Sequence, residues 1–442
     1  MSYKAIITPI VNVRDHSNAN ALKLGTACGC QVVVGMDTKE GTLGVFFGEG
    51  GALSHDMCCE NNLYRHAELN RDNTAKAGFF EDNRRIKTMK LRGEKSEGFW
   101  TELKVLEWTG IDTSTLEQGF EFDQLNGRPI CEKYYSEATV KAMRKNKQGK
   151  PGKKKRRPLE SVFETFKKHF DTTHLGRAIH TIPGGAVLQI SEKCHGTSGR
   201  TGYLEEEIQL GWFKTWWNKH FPMKFETKQW SYVSGSRNVI YDPHKDIVDG
   251  YYKGTTFREE IHNDIKRRGL HKGETLYYEI VGYNEKGAAI MGTAKADNKD
   301  LKDVVKQYGK QFHWSYGCNT SGDFMPFKIL LYRITRTTPD GYQIEVPYAQ
   351  MVTRAAELGI EVVPNLKEPF IYDGDKEALI KLCDELIKGS SVLDNRHIKE
   401  GVVVRVEAPN KEIFLKHKGF EFCVIENGMK ANKDYVDTEE IS

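Results

Sequence analysis

The sequence predicts an α+β protein in two parts, a small N-terminal β-barrel joined by a basic linker to a larger domain of mixed helices and strands. Three observations predict it. The chain has 442 residues, more than one ordinary core accommodates. Short apolar runs alternate with turn residues over the first third of the chain, as in a small barrel. One charge run at 141–157, "KAMRKNKQGKPGKKKRR", cannot be buried in any core. The boundaries so drawn are 1–143 for the barrel, 144–158 for the linker and 159–442 for the second domain.

The barrel rests on five runs: "KAIITPIVNV", "QVVVGMD", "TLGVFFG", "RRIKTMKLRG" and "FWTELKVLEW". The stretch "HSNANALKLGTACGCQVVVG" at 16–35 resembles the opening of OB-fold domains of the tRNA-binding type. An OB-like barrel presents one face to nucleic acid, so the basic stretch 84–93 is either an RNA contact or a solvated hairpin. In the second domain, "LESVFETFKKHF" (159–170) and "KEALIKLCDELIKG" (376–389) carry apolar residues at helical spacing. The strand candidates there are "AVLQISEK", "ETLYYEIVGY", "FKILLYRIT", "EGVVVRVEA" and "EIFLKHKGF".

Composition narrows the class. Hydrophobic residues make up 38% and aromatics 11%, with a mean hydropathy of −0.58. These values fit a globular chain, and no apolar run reaches the roughly 18 to 20 residues of a membrane span. The N-terminal "MSYKAIITPIVNV" is broken by Thr8, Pro9 and Asn12 and reads as a first strand, not a signal peptide. Nine scattered cysteines suggest an intracellular protein with reduced thiols, cytoplasmic or nuclear. Neither Cys28/Cys30 nor Cys58/Cys59 has the CxxC spacing that favours zinc. The net charge of +4 says little about partners. The basic run says more, and three readings of it stand: linker, RNA contact or nuclear signal.

Charges inside strands point to chemistry. Glu279 sits in "LYYEIVGY", Glu400 opens "EGVVVR", and Lys416 and Lys418 lie two apart in "FLKHKG", hence on one face. By the same spacing Glu400 would share a face with Val402. Each charge alone suits a solvated sheet edge. Together with Lys193, in the polar turn "SEKCHGTSGR" at 191–200, they match what phosphate chemistry requires. Neighbouring cations disfavour a protonated lysine and neutralise a phosphate under attack, and a carboxylate holds a hydrated metal.

These residues resemble the motifs of the covalent lysyl-nucleotidyltransferases, which include DNA ligases, RNA ligases and mRNA capping enzymes. The nucleophile motif stands as Lys193-Cys194-His195-Gly196, its histidine favouring the RNA-ligase side. "SGSRNV" (234–239), "YYEIVGY" (277–283), "FKILLYRIT" (327–335), "KEGVVVR" (399–405) and "FLKHKG" (414–419) follow in the family's order. The resemblance implies antiparallel sheets flanked by helices, ATP as substrate and Mg2+ or Mn2+ as metal. It implies that Lys193 takes AMP, that Glu400 orients the hydrated metal, and that Lys416 and Lys418 hold the α-phosphate. Arg200 would contact the ribose, Arg237 the sugar or the 5′-phosphate, and Glu279 the ribose hydroxyls. Either Phe327 or Tyr332 would stack on adenine. Glu192, His195, Gly196 and Val402, next to these groups in the motifs, complete the expected nucleotide-binding set.

Only 23 residues follow Gly419, too few for the C-terminal OB domain of DNA ligases and capping enzymes. The expectation is therefore an ATP-dependent RNA ligase with an N-terminal OB domain, a monomer that joins 3′-OH and 5′-phosphate ends, typically at templated nicks in RNA repair. Two alternatives stand beside it: a capping guanylyltransferase using GTP, and a non-catalytic OB-type RNA-binding protein.

Overall fold

Apolar residues at nearly every position of "AIITPI" build the first strand of the N-terminal part, Ala5–Pro9. Its ladder runs through Leu43–Gly48 to Gly98–Glu102, with Glu121–Phe122 on the other edge, as a four-stranded antiparallel sheet. The chain bends at the buried Ile10 and enters a three-stranded meander, Val11–His16, Ala19–Ala27 and Cys30–Gly35. Consecutive residues of the central strand face opposite ways. Phe46 packs with Ile10, Val32 and Trp100, and Phe47 with Leu53, Met57 and Leu106. A sheet covered on both faces reads as a continuous apolar run, which "GVFFG" is. The meander folded over one face is compatible with the expected OB-like barrel, with its strands divided between separate ladders.

In this computed structural model the described residues are 3–75, 78–147, 158–170, 172–245, 254–320, 326–338, 340–407, 413–432 and 434–436. Lys141 and Arg144, at the start of the basic run, belong to a helix, Glu137–Lys147. Positions 148–157, the rest of that run, lie outside the described residues. All nine cysteines are free, and no helix among the described residues is long and apolar enough to cross a membrane.

The second domain is mixed α+β, with antiparallel sheets flanked by helices. Its principal elements in chain order are β1 (Val187–Lys193), β2 (Thr197–Glu207), α1 (Trp212–His220), β3 (Lys228–Ser236), α2 (Phe257–Arg268), β4 (Glu274–Gly282), β5 (Phe327–Thr337), α3 (Tyr348–Leu358), β6 (Asn365–Ile371), α4 (Lys376–Ile387), β7 (Gly401–Glu407), β8 (Ile413–Lys418) and α5 (Phe420–Ala431). One sheet orders β8, β7, β1 and β6, with Thr173–His174 on the β8 edge. The other orders β3, β2, β4 and β5, extended by short edge strands. Helix α4 packs its Leu379 and Cys383 against Leu188, Val402, Val404 and Leu415 on the back of the first sheet. Helices α2 and α3 cover the back of the second, against Leu276, Tyr278, Ile280 and Leu331.

The helix expected over 159–170 is shorter in the structure, ending at Val162. Phe163 and Phe166 still bury, against Leu204, Val233 and Ile240, but from irregular backbone. The tertiary contact wins over periodicity because Phe166 must lie beneath Arg200, whose guanidinium carbon is 4.6 Å from its ring centroid. The basic stretch 84–93 also departs from both of its readings at Arg85. That side chain is 3% exposed and donates to the backbone and side-chain oxygens of Asn427 on α5, where it ties the N-terminal part to the second domain.

Candidate active site

The two sheets face each other across one pocket, and the turn Cys194–Gly196 carries the chain directly from β1 in the first to β2 in the second. The predicted nucleophile motif therefore contributes to both walls. Lys193 ends β1, paired with Gly401, while Ser198 pairs with Glu279 on β4. Gly196 is required by close approach: a Cβ there would sit 2.4 Å from the carbonyl oxygen of Ile280. The His195 N–H donates to the Tyr316 hydroxyl at 2.5 Å. Tyr316 is fully buried and holds a φ of +48°, a strained conformation for a bulky residue and one that clusters at functional sites.

On the first wall the charges meet as ion pairs. Lys193 Nζ is 2.8 Å from Glu400 Oε1, and Lys418 Nζ is 3.4 Å from the same oxygen. His195 Nδ1 lies 3.4 Å from Glu400 Oε2. Burial at 2% exposure would raise the Glu400 carboxyl, but Lys193, Lys418 and His195 together hold it well below the usual carboxylate range. Lys418 is in turn gripped by Glu426 of α5, at 3.1 and 3.2 Å, and Glu426 also binds Lys430 at 3.1 Å. Burial works against the charge of Lys418; Glu426 and Glu400 outweigh it and push the ammonium well up. Lys416 lines the same wall.

The second wall differs. Arg200 is 2% exposed, and none of its three guanidinium nitrogens has a hydrogen-bond partner among the described residues. Burial lowers its pKa from the usual arginine value. Glu279 accepts from Ser198 Oγ at 3.2 Å. Tyr332 and Arg237 line the pocket too, as do His169 and Phe170. Behind this wall Thr201, Tyr278 and His262 form a neutral cluster, each oxygen 2.9 Å from His262 Nδ1.

The pocket thus gathers Lys193, Glu192, His195, Arg200, Arg237, Glu279, Tyr332, Glu400, Lys416 and Lys418. Three predicted positions do not line the pocket. Phe327, at the start of β5, is in the core against Phe257, leaving Tyr332 as the pocket aromatic of that strand. Val402 is fully buried against α4; the alternation of β7 turns Val403 and Arg405 to the pocket instead. Gly196 shapes the turn without lining the pocket. Glu426, Phe166, His169 and Tyr316 escaped the sequence reading. So did Glu49 of the N-terminal part, whose carboxyl is pushed up by burial and by Glu426. Of these only Glu426, four residues before Lys430, had a local signal, and that spacing reads as an ordinary helix surface pair.

No group of three or more His, Cys, Asp or Glu side chains that could hold a metal occurs among the described residues. Glu400 is instead a carboxylate flanked by Lys193 and Lys418, with Glu426 on the far side of Lys418. Such a donor set suits a hydrated Mg2+ or Mn2+ whose other ligands are water and nucleotide phosphate, and does not suit an all-protein cage.

A lysine ion-paired with a buried glutamate lies between two antiparallel sheets, opposite an arginine whose guanidinium has no hydrogen-bond partner among the described residues, an arrangement compatible with the resemblance to covalent lysyl-nucleotidyltransferases. The family model described as RNA ligase matches residues 186–418, and the chain belongs to the RNA ligase family. No curated protein sequence matches it. Solved structures of Naegleria gruberi RNA ligase are similar in fold. A mutant form with ATP and Mn superposes with a TM-score of 0.55 at 14% identity, covering 97% of this chain and 99% of that one. The form with PPi gives 0.52 at 15%, covering 97% and 98%. An apo mutant gives 0.54 at 12%, covering 98% and 100%.

Proposed function

We propose that this RNA ligase is ATP-dependent and joins a 3′-OH to a 5′-phosphate, at templated nicks, through lysyl-AMP and RNA-adenylate intermediates. The observation that carries the reading is Lys193, held 2.8 Å from Glu400 at the junction of a cation-rich wall and a wall whose arginine has no hydrogen-bond partner among the described residues. Naegleria gruberi RNA ligase, solved with ATP and Mn and with AMP and Mn, supports the choice of nucleotide and metal. The proposed domain boundaries remain 1–143, 144–158 and 159–442, with the linker beginning inside the helix Glu137–Lys147.

In the first step the Lys193 amine attacks the α-phosphorus of ATP. A P–N bond forms, the P–O bond to the β-phosphate breaks, and pyrophosphate leaves. An ammonium nitrogen has no lone pair, so the Lys193–Glu400 ion pair must open and lose its proton first. Glu400 would hold the hydrated divalent ion, which supplies countercharge to the phosphates. Lys416 and Lys418 neutralise the α-phosphate as it becomes pentacoordinate. Glu279 binds the ribose hydroxyls, Arg200 the ribose, and Tyr332 stacks on adenine. Arg237 meets the sugar or the incoming 5′-phosphate. AMP then passes to the RNA 5′-phosphate with release of Lys193, and the 3′-OH displaces AMP to form the phosphodiester.

ATP labelled in its α-phosphate, with Mg2+ or Mn2+, should label the protein covalently, and GTP should not. Equal labelling of Lys193→Ala would refute the assignment, and preference for GTP would favour a capping enzyme. Sealing of nicked duplexes with RNA or DNA on each side, against the same strands without template, tests the substrate. Preferential joining of untemplated ends would remove the nick while leaving the chemistry.

A further inference from the structure

Helix α1 and the segment following it, inserted between β2 and β3, play no part in the pocket. No residue from 211 to 230 is buried, although the insertion is rich in tryptophan and phenylalanine. Two side chains keep it folded. Trp217 stacks on Phe221 with ring centroids 4.0 Å apart and donates its Nε1–H to the Met223 carbonyl at 2.9 Å. Asn218 closes onto Phe225 through both its amide groups, at 2.9 and 2.7 Å. Trp212 and Trp216 make neither of these closures. Trp212 is 82% exposed and Trp216 44%. A helix of nine residues with no buried face leaves a sizeable apolar patch in water, which marks an interaction surface.

The charges on the patch identify the partner. Lys214, Lys219 and Lys224 flank the rings, with Glu226 the single acid between 211 and 230. The acids at the end of β2 are engaged by their own neighbours: Glu205 is paired with Lys228 at 2.8 Å, Glu206 accepts from Gln229 and meets His244 at 3.0 Å, and Glu207 also has a partner. Exposed aromatic rings among lysines suit a polyanion that carries its own flat apolar groups: rings stack on bases and ammonium groups meet phosphates. A second protein surface would have to bring acids and apolar area together in one place. We propose that α1 and its following segment are a stacking platform for a single-stranded part of the RNA substrate. This rests on the RNA ligase reading above and adds a site outside the pocket. The placement sets its reach. Arg200 in the pocket and Glu207 at the platform end lie on one strand, about 23 Å apart at ~3.3 Å per residue. That distance is roughly seven nucleotides of a strand stacked at the duplex spacing of ~3.4 Å each.

The test measures binding of end-labelled single-stranded RNA by the full chain, with strands of about five and about fifteen nucleotides, either side of that reach. Trp212→Ala with Trp216→Ala should weaken the long strand tenfold or more and leave the short strand within twofold. Trp212→Tyr with Trp216→Tyr should restore the long-strand affinity. Lysyl-AMP formation from ATP should be the same in all three proteins; its absence from all of them would count against the ligase reading, while the RNA arm still decides the platform. Unchanged long-strand binding in the alanine variant would overturn the proposal. So would loss of a concentration-dependent dimer in that variant without loss of RNA affinity, which would assign the patch to a second copy of the chain.

Discussion

The two walls of the pocket solve the problem of buried charge in opposite ways. On the wall built by β1, β7 and β8, each of Lys193, Lys418 and Glu400 has an opposite charge within 3.4 Å, and the network continues to Glu426 and Lys430. On the wall built by β2, β4 and β5, Arg200 is as deeply buried as Glu400 yet has no hydrogen-bond partner among the described residues. Paired charges can be exchanged during a reaction without ever being left bare. An unpaired one costs stability until a ligand satisfies it. Under the proposed function, the first wall would serve the step in which charge moves and the second would serve binding.

The largest expected effect follows for the first wall. Glu400→Gln keeps the shape and removes the charge that orders Lys193 and Lys418, so lysyl-AMP formation should fall at least ~100-fold in maximal rate with a smaller change in the ATP concentration needed. A loss confined to ATP affinity would break the distinction. Arg200→Met should do the reverse. Methionine still packs on Phe166 but needs no partner, so the apo protein should melt higher, gaining ~1 kcal/mol. ATP should bind ~10-fold or more weakly, as loss of a charged hydrogen bond implies. A destabilised Arg200→Met protein would mean that the guanidinium is already satisfied.

A smaller effect tests how far the first network extends. Glu426 binds Lys418 directly and is expected to act through it. Glu426→Gln should slow lysyl-AMP formation ~10-fold and shift its pH profile, because Lys418 loses the larger of the charges that keep it protonated. Glu426→Asp should recover part of the rate. An altered melting temperature with an unmoved pH profile would reduce Glu426 to a structural role.

The sequence made the second domain legible where strand and motif coincide. Lys193, Glu279, Glu400, Lys416 and Lys418 each sit at or beside a strand of the two sheets, because alternation fixes which way a side chain points once the strand is known. The same rule failed at Val402. Glu400 precedes the first residue of β7, so counting by twos from it lands on the covered face. Phe327 failed for a different reason: an aromatic at a strand start reads alike whether it meets a core or a ligand. Glu426, Phe166 and Tyr316 were invisible because their roles come from contacts between elements distant in sequence. Periodicity over 159–170 suggested a helix that the demand for Phe166 beneath Arg200 cut short.

The last prediction concerns the backing of the second wall. Where Glu426 and Lys430 support the first wall with charge, Thr201, Tyr278 and His262 support the second with neutral hydrogen bonds. Burial, and then Arg258, lower the His262 pKa to about 3. An imidazole that stays neutral in the folded protein but takes a proton near pH 6.5 when unfolded favours the unfolded chain as pH falls. The stability it protects is complete above that value and is lost progressively from about pH 6.5 toward pH 3. Between pH 7 and 5 the loss from this one group is ~2 kcal/mol. His262→Gln retains a donor and an acceptor and does not titrate, so its unfolding free energy should fall by that much less over the same interval, with lysyl-AMP formation at neutral pH nearly unchanged. Urea unfolding of both proteins at pH 7 and pH 5 measures the difference. Parallel losses would show that His262 is protonated inside the fold, and that the wall which binds also carries hidden charge.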